Sequence, residues 1–451
     1  MKITFLGAAG TVTGSSYMLT SDSGQSILID LGMFQGPPEI EQLNYEPLAV
    51  DCSQLVGAIL THAHLDHCGR LPLLLANGFN GEIWMTPATR DLTELSLLDA
   101  AKIAQQDKKE ALFDRDLVEQ TMRVCKTIGY RTPFMVGDFQ IAFRDAGHIL
   151  GSASVEISDT QSTDKTKNII FSGDIGNYPE PLLQVTELLD TADVVVMEST
   201  YGDRLHPDAD PSQTVQAEIN AVEQTGSDAT LLIPAFSLER TQELLHMIMH
   251  LKAVGLVKAE TPIFLDSPMA KKATEIYLNY PDLFNHEMLE DFKAGNPFAF
   301  DGLQIVYGHE ESEEIHTVAG PKVIIAGSGM MTGGRIVGHA AHYLPLTTTR
   351  LLIVGYQGEG TLGRQLLEGA NQVLIDGNPV QVNATVTNTQ AMSSHADQQQ
   401  LLTWLAHIKN VQQVILTHGE DGPRAALAQK ITAELGISEV ILPKLNQEVS
   451  L

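Results

Sequence analysis

Short apolar runs, each closed by a turn that carries a reactive polar residue, set the rhythm of the first two hundred positions. MKITFLGAAG opens with an alternating run that ends in glycines. SILID then ends at Asp30, LVGAILT runs into His62, FQIAFRDAG into His148, NIIFSG into Asp174 and DVVVM into Glu198. Runs of about four to eight residues rich in Val, Ile and Phe and closed by Gly or Asp read as strands. The pattern resumes near the C-terminus, where VQQVILT runs into His418. A sheet whose strand ends converge on one rim gathers all of these polar residues.

Between about 206 and 377 the rhythm changes to a strand followed by an amphipathic helix: TLLIPAF then ERTQELLHMIMHLKA, PIFLDSP then AKKATEIYLNY, KVIIAGS then GGRIVGHAAHYL. That alternation predicts a parallel sheet with crossover helices. Asp210-Pro211, a capping residue followed by proline at the first helical position, opens another helix in the same region. The segment is an α/β domain of residues 206–377, inserted into a first domain whose two parts are 1–205 and 378–451. DTQSTDKTKN, 159 to 168, is polar and reads as a loop between strands.

A chain of 451 residues has room for two or three domains, at roughly 100 to 200 residues each. With 43% hydrophobic and 19% charged residues it falls among globular proteins rather than disordered or fibrous ones. No run approaches the ~18 apolar residues of a membrane span, and the N-terminus reads as a strand rather than a signal peptide. Three cysteines, Cys52, Cys68 and Cys125, are an odd number in a long chain. They argue against a disulfide framework and for a reducing compartment, so a cytoplasmic protein with no membrane partner is expected. The formal net charge of -28 argues against nucleic-acid binding through a broad basic surface. Carboxylates that ligate divalent cations have their local sign reversed, which removes part of that objection.

His62-Ala63-His64-Leu65-Asp66-His67 follows a strand-like run. Residues i and i+2 of an extended segment point the same way, so His62 and His64 can grip one ion. Asp66 and His67, entering the next turn, can point at a second. Imidazole and carboxylate donors suit zinc, and several of them without cysteine describe an open, catalytic site rather than a closed structural one. Manganese or iron could take the place of zinc, because affinity order alone does not fix occupancy. Singly, His148 in DAGHILGS and Asp174 in FSGDIG are weak signals; after the first motif, and in that order, they count as candidates.

At this point the sequence resembles the metallo-β-lactamase superfamily, whose H-x-H-x-D-H, later His, later Asp and final His supply a two-metal site. The resemblance implies an αββα sandwich in which His62, His64 and His148 bind one zinc ion. Asp66, His67 and His418 would bind the other, with Asp174 bridging and Asp30 orienting ligands from behind. Two metals about 3.5 to 4 Å apart hold a hydroxide at neutral pH and stabilise the attacking and leaving oxygens of a phosphoryl displacement. Asp66 and Asp174 therefore count among the catalytic residues as well as the ligands. The scaffold also serves thioesters and lactams, so fold alone does not select the substrate.

Three further segments narrow it. Met197-Glu198-Ser-Thr-Tyr-Gly-Asp203, Ser394-His395-Ala-Asp397 and Leu-Thr-His418-Gly-Glu420 are similar to motifs A, B and C of the β-CASP nucleases. That group includes metal-dependent ribonucleases of bacteria and archaea and the endonuclease of eukaryotic messenger 3′-end processing. The resemblance covers essentially the whole chain, with the inserted β-CASP domain in the expected place. A phosphodiester leaving group is an alkoxide that needs a proton, so a general acid is required beside the metals. His395 is the candidate, with Glu198 bonding its other nitrogen and raising its proton affinity. The plainer alternative is that His395 caps the helix DQQQLLTWLAHI. In the family a histidine at motif C goes with RNA, and here it is His418.

Phosphate contacts are expected from two glycine-rich turns, with Ser328, Gly329 and Arg335 in the first and Thr361 and Arg364 in the second, together with Ser394. Such turns, opening a helix, present backbone N–H groups to anions. Neither is a P-loop or a full dinucleotide fingerprint, and tight turns without a ligand are the alternative. Glu239 stands where the family usually has a small residue, with a consequence expected for how the domain faces a phosphate backbone. His339 and His342 are expected to line one helix face, His246 and His250 to pack or cover another, and Trp404 to sit on the core side of its helix.

The expectation is thus a zinc-dependent ribonuclease holding single-stranded RNA between its two domains, its nucleophile zinc-held and His395 protonating the departing 3′ oxygen. Products would carry 5′-phosphate and 3′-hydroxyl ends. Alternatives are a hydrolase of DNA or small esters on the same fold, or a catalytically silent scaffold of an RNA-processing assembly. Cutting from within or from a 5′ end and a possible homodimer stay open at this stage.

Overall fold

The computed structural model describes residues 1–106, 110–161 and 168–451. Residues 162–167, most of the polar segment read as a loop, lie outside them. The chain divides into two compact units, Met1–Leu205 with Ser394–Leu451, and His206–Ser393.

Among the described residues the first unit holds two seven-stranded sheets. One runs Glu448–Ser450, Lys2–Phe5, Tyr17–Thr20, Ser26–Ile29, Leu55–Ile59, Glu82–Met85 and Cys125–Thr127; the other Glu439–Ile441, Gln413–Leu416, Val194–Met197, Asn168–Phe171, Ala153–Asp159, Phe139–Asp145 and Phe134–Val136. Both are apolar on both faces, and the alternation of strand side chains explains how. Ile27 and Ile29 join Phe139, Phe143, Phe171, Val194 and Val196 in one core, while Leu28 between them packs outward with Leu71, Leu74, Leu97 and Val118 of the flanking helices. Val195 and Met197 pack outward with Leu401, Trp404, Leu405 and Leu427. The result is the αββα sandwich that the sequence implies, with Trp404 on the core side. Full burial of each such side chain contributes on the order of 1.5–3 kcal/mol.

The strands Ser26–Ile29 and Leu55–Ile59 run parallel, as do Asn168–Phe171, Val194–Met197 and Gln413–Leu416. Parallel strands bring their C-terminal ends to one edge. Asp30, His62, Asp174, Glu198 and His418 all follow such ends, so the topology assembles them before any side-chain chemistry acts.

One close approach fixes this rim. The segment Leu31–Met33 is laced to 65–67 by Leu31 N–H to His67 O at 2.9 Å and Met33 N–H to Leu65 O at 2.7 Å. A Cβ on Gly32 would stand 1.6 Å from the backbone oxygen of Asp66. Gly32→Ala is therefore expected to push the ligand turn aside, lowering stability by on the order of 2–4 kcal/mol and reducing bound metal. Thermal melts and metal analysis of the purified variant check this; an unchanged Tm would show that the turn yields freely.

The second unit carries a six-stranded sheet in the order Leu303–Ile305, Ile263–Asp266, Lys322–Ala326, Thr230–Pro234, Thr349–Ile353, Thr385–Asn388, parallel throughout. Its core includes Leu232, Phe264, Ile324 and Leu351, covered by Ile336, Ala340 and Tyr343 of the helix Arg335–Tyr343. Asp210 accepts a bond from Ser212 N–H at 2.9 Å and caps the helix Pro211–Thr225, as its Asp-Pro start predicts. The opening boundary at 206 coincides with the sequence reading; the closing one lies at 393 rather than 377. The reason is the strand Thr385–Asn388, which pairs in parallel with Thr349–Ile353 and so belongs to the inserted sheet. No helix among the described residues is long and apolar enough to cross a membrane.

Candidate metal centre

Seven side chains converge at the rim of the first unit in two sets that share one carboxylate. In the first set, His64 Nδ1 lies 3.2 Å from both His62 Nε2 and His148 Nε2. Asp174 Oδ2 stands 3.4 Å from His62 Nε2 and 3.6 Å from His148 Nε2. In the second, His418 Nε2 is 3.3 Å from Asp66 Oδ2, and Asp174 Oδ1 is 3.3 Å from His67 Nε2 and 3.7 Å from His418 Nε2.

These distances test whether a metal fits. Donors about 2.0–2.1 Å from a tetrahedral ion are separated by about 3.3 Å, close to the 3.2–3.6 Å contacts of the first set and the 3.3–3.7 Å contacts of the second. Three imidazole nitrogens facing one point cannot all be satisfied by shared protons. Asp174 Oδ1, fully buried, meets no hydrogen-bond donor among the described residues. A divalent cation held by each set would satisfy all of these atoms at once. Burial lowers the proton affinity of His62, His64 and His148, that of His64 to about 4. They therefore stand neutral near pH 7, the form that ligates.

The outer nitrogens are held as well. Asp30 accepts from Thr61 N–H and Thr61 Oγ1, each at 2.8 Å, and from His67 Nδ1 at 2.7 Å. Thr61 Oγ1 is 3.1 Å from His62 Nδ1. His148 Nδ1 bonds Ser394 O at 3.1 Å, and His418 Nδ1 lies 3.1 Å from Thr200 Oγ1. Each contact fixes a tautomer and a ring orientation. Thr61 and Thr200 escaped the sequence reading. The available signal was position, since Thr61 directly precedes His62 and Thr200 follows Glu198 by two. Asp30→Asn is expected to weaken metal binding about 10- to 100-fold, read by titration against a competing chelator; unchanged affinity would reduce Asp30 to a packing residue.

His395 Nδ1 lies 3.2 Å from both oxygens of Glu198, which is itself buried and accepts Ile175 N–H at 2.6 Å. Burial alone would lower the proton affinity of His395. The charge and hydrogen bond of Glu198, with Asp174 and Asp66 behind, outweigh it and raise the pKa to about 9. His395 does not cap the following helix. Asp397 does, accepting Gln400 N–H at 2.9 Å while Gln400 Oε1 accepts Asp397 N–H at 3.0 Å.

The two glycine-rich turns are neighbours in the second unit. Gln357 Nε2 donates to Gly329 O at 2.9 Å and Gly363 N–H to Met330 O at 3.3 Å. Ser328 lies in the first turn, and Thr361 caps the helix Leu362–Leu367 through Arg364 N–H at 3.2 Å. Arg364 pairs with exposed Glu368 at 2.6 Å.

The Arg335 guanidinium bonds buried Asp266 and donates to Tyr307 O at 2.8 Å, so part of its charge is engaged within its own unit. Glu239 needs a correction: it is fully buried and accepts from Tyr277 Oη at 2.6 Å, facing the interior. His339 likewise turns inward, bonding Asp266 at 2.8 Å, while His342 stacks on His316 at 4.1 Å.

Comparison with known proteins agrees with this geometry. Three family models match: the metallo-β-lactamase superfamily over residues 9–217, the β-CASP domain over 241–366, and the Zn-dependent metallo-hydrolase RNA specificity domain over 379–443. The chain is 37% identical to Ribonuclease TTHA0252 of Thermus thermophilus over the full length of both. It is 30% identical to Transcription termination factor FttA of Methanosarcina mazei, covering 99% of this chain and 71% of that one, and 30% identical to RNase aCSPSF2 of Saccharolobus solfataricus, covering 98% and 84%. A solved structure of a protein of unknown function from Enterococcus faecalis V583 shares the fold, with a TM-score of 0.56 at 12% identity over 100% of this chain and 99% of that one. With a split αββα domain, an inserted parallel-sheet domain, matching family models and a ribonuclease relative that matches along its full length, the chain belongs to the β-CASP family of the metallo-β-lactamase superfamily.

Proposed function

We propose that this protein is a zinc-dependent ribonuclease that hydrolyses single-stranded RNA with two metal ions and His395 as general acid. The observation that carries the reading is the Glu198–His395 pair beside the doubly shared Asp174. A metal site alone serves any ester, whereas a histidine held protonated next to it serves a strongly basic leaving group, such as an alkoxide, that departs only with a proton. Support for RNA comes from the relatives named as ribonucleases and from the RNA specificity match, which spans His395 and His418.

Two zinc ions, when bound, supply a lowered pKa for the attacking water and positive charge for the phosphoryl oxygens. The chain's own residues do the remainder. Asp174 and the five ligating histidines set the position of both charges, and Asp30 with Thr61 keeps His67 and His62 from rotating. Glu198 holds His395 Nδ1, which leaves Nε2 to carry the transferable proton. As the new phosphorus–oxygen bond forms, the P–O3′ bond breaks and that proton passes to O3′, giving 5′-phosphate and 3′-hydroxyl ends. The three cysteines are buried free thiols, which suits the cytoplasmic setting we infer.

The test is cleavage of a 5′-labelled single-stranded RNA, beside DNA of the same sequence, by zinc-loaded protein. Cleavage of the RNA alone, with the stated ends, is expected. DNA cut as fast would move the assignment to a general phosphodiesterase, and folded, zinc-replete protein inert on both would support the scaffold alternative.

A further inference from the structure

A second group of side chains able to ligate a metal lies within the second unit. His246 and His250 stand one turn apart on the helix Arg240–Ala253, so their side chains share a face. The helix His286–Ala294 brings Asp291 to that face. His246 Nε2 is 2.7 Å from Asp291 Oδ2, His250 Nε2 is 2.8 Å from the same oxygen, and the two Nε2 atoms are 3.1 Å apart. The three donor atoms form a nearly equilateral triangle with edges of about 3 Å. That is the spacing of cis donors each about 2.0–2.1 Å from a six-coordinate first-row ion, about 2.9 Å, tighter than the about 3.3 Å of a tetrahedral one. The sequence assigns both histidines to packing; it could not show that a carboxylate 41 residues on meets them.

From this triangle we infer a third metal site, binding a divalent transition ion, with zinc the best match to two imidazoles and one carboxylate. Exposure is graded across the ligands: the side chain of His246 is 6% exposed, that of Asp291 26% and that of His250 41%. The buried histidine fixes the site to the core, and the other two leave an open side through which the ion enters. Burial keeps His246 neutral by lowering its proton affinity, as ligation requires. Glu287, on the same helix as Asp291, adds negative charge near His246 that favours a cation. Three protein donors leave at least one coordination position for water. The ion would tie the two helices together.

The test compares full-length protein, stripped with a chelator, with the variants His250→Gln and Asp291→Asn, each titrated with Zn2+ against a chromophoric competitor. Both substitutions fall on partly exposed side chains, so folding is retained and checked by circular dichroism. The wild type is expected to bind one zinc equivalent more than either variant, whatever the occupancy of the centre in the first unit, while RNA cleavage stays unchanged. Zinc should also raise Tm further in the wild type than in either variant. Equal stoichiometry in all three proteins would overturn the inference and leave the triangle as a hydrogen-bonded cluster.

Discussion

His395→Ala is expected to lower kcat on single-stranded RNA by about 10²–10⁴-fold, the usual range for a general acid, while metal content and KM change little. Its closest charged partners are the oxygens of Glu198 at 3.2 Å, nearer than Asp174 Oδ2 at 4.0 Å. A substrate whose leaving group needs no proton gives the sharper contrast. On an aryl phosphodiester with an acidic phenol the same variant should lose far less. Equal losses on both substrates would mean that His395 positions the substrate and donates nothing. The pH profile adds a second readout. A general acid works while protonated, so the alkaline limb of kcat/KM follows the pKa of His395, which Glu198 raises to about 9. Glu198→Gln removes that charge while keeping an acceptor for Ile175 N–H. The alkaline limb should move to lower pH by about one unit or more. Nearby cations depress the same proton affinity in both proteins, so the difference between them survives metal binding. An unmoved limb would show that Glu198 only fills space.

How much of this was readable in the chain depends on sequence separation. His62, His64, Asp66 and His67 lie within one turn of a strand end, where geometry follows from local rules, and the structure brings them together. Asp174 and His418 were reachable because each follows an apolar run, and parallel strands deliver their ends to one edge; His148 follows Phe139–Asp145, which pairs antiparallel with both neighbours, and counted only once read after the first motif. The Glu198–His395 contact spans 197 residues and was visible only through resemblance to β-CASP motifs. Where neither local rule nor motif applied, sequence showed less. Arg335 follows a glycine-rich turn and reads as a phosphate ligand, and nothing local announces its pairing with buried Asp266, 69 residues earlier. Glu239 looked out of place in a binding loop because its partner, the hydroxyl of Tyr277, belongs to another helix. The strand Thr385–Asn388 is short and only partly apolar, TVTN, so its place at the edge of the inserted sheet gave no periodic signal. All three pairings are set by tertiary packing between segments distant in sequence, which local pattern does not show.

Asp174→Ala should have the largest effect of any single substitution, because one carboxylate serves both ligand sets. Oδ2 closes the set of His62, His64 and His148 and Oδ1 that of Asp66, His67 and His418. Removing it takes a donor and a negative charge from each, so both affinities fall together. Cleavage is expected to drop below about 10⁻⁴ of wild type, since activation of water and stabilisation of the leaving oxygen are lost at once. His418→Ala offers the control, as it removes a donor from the second set alone and should leave the first ion bound. The rise in Tm produced by zinc, which reflects binding to the folded state only, should be smallest in Asp174→Ala and intermediate in His418→Ala. Equal metal loss in the two variants would mean that the sites fill cooperatively, with the second ion required for the first. Full metal retention in Asp174→Ala would instead place the bridge elsewhere, with Asp66 the nearest carboxylate able to take its place.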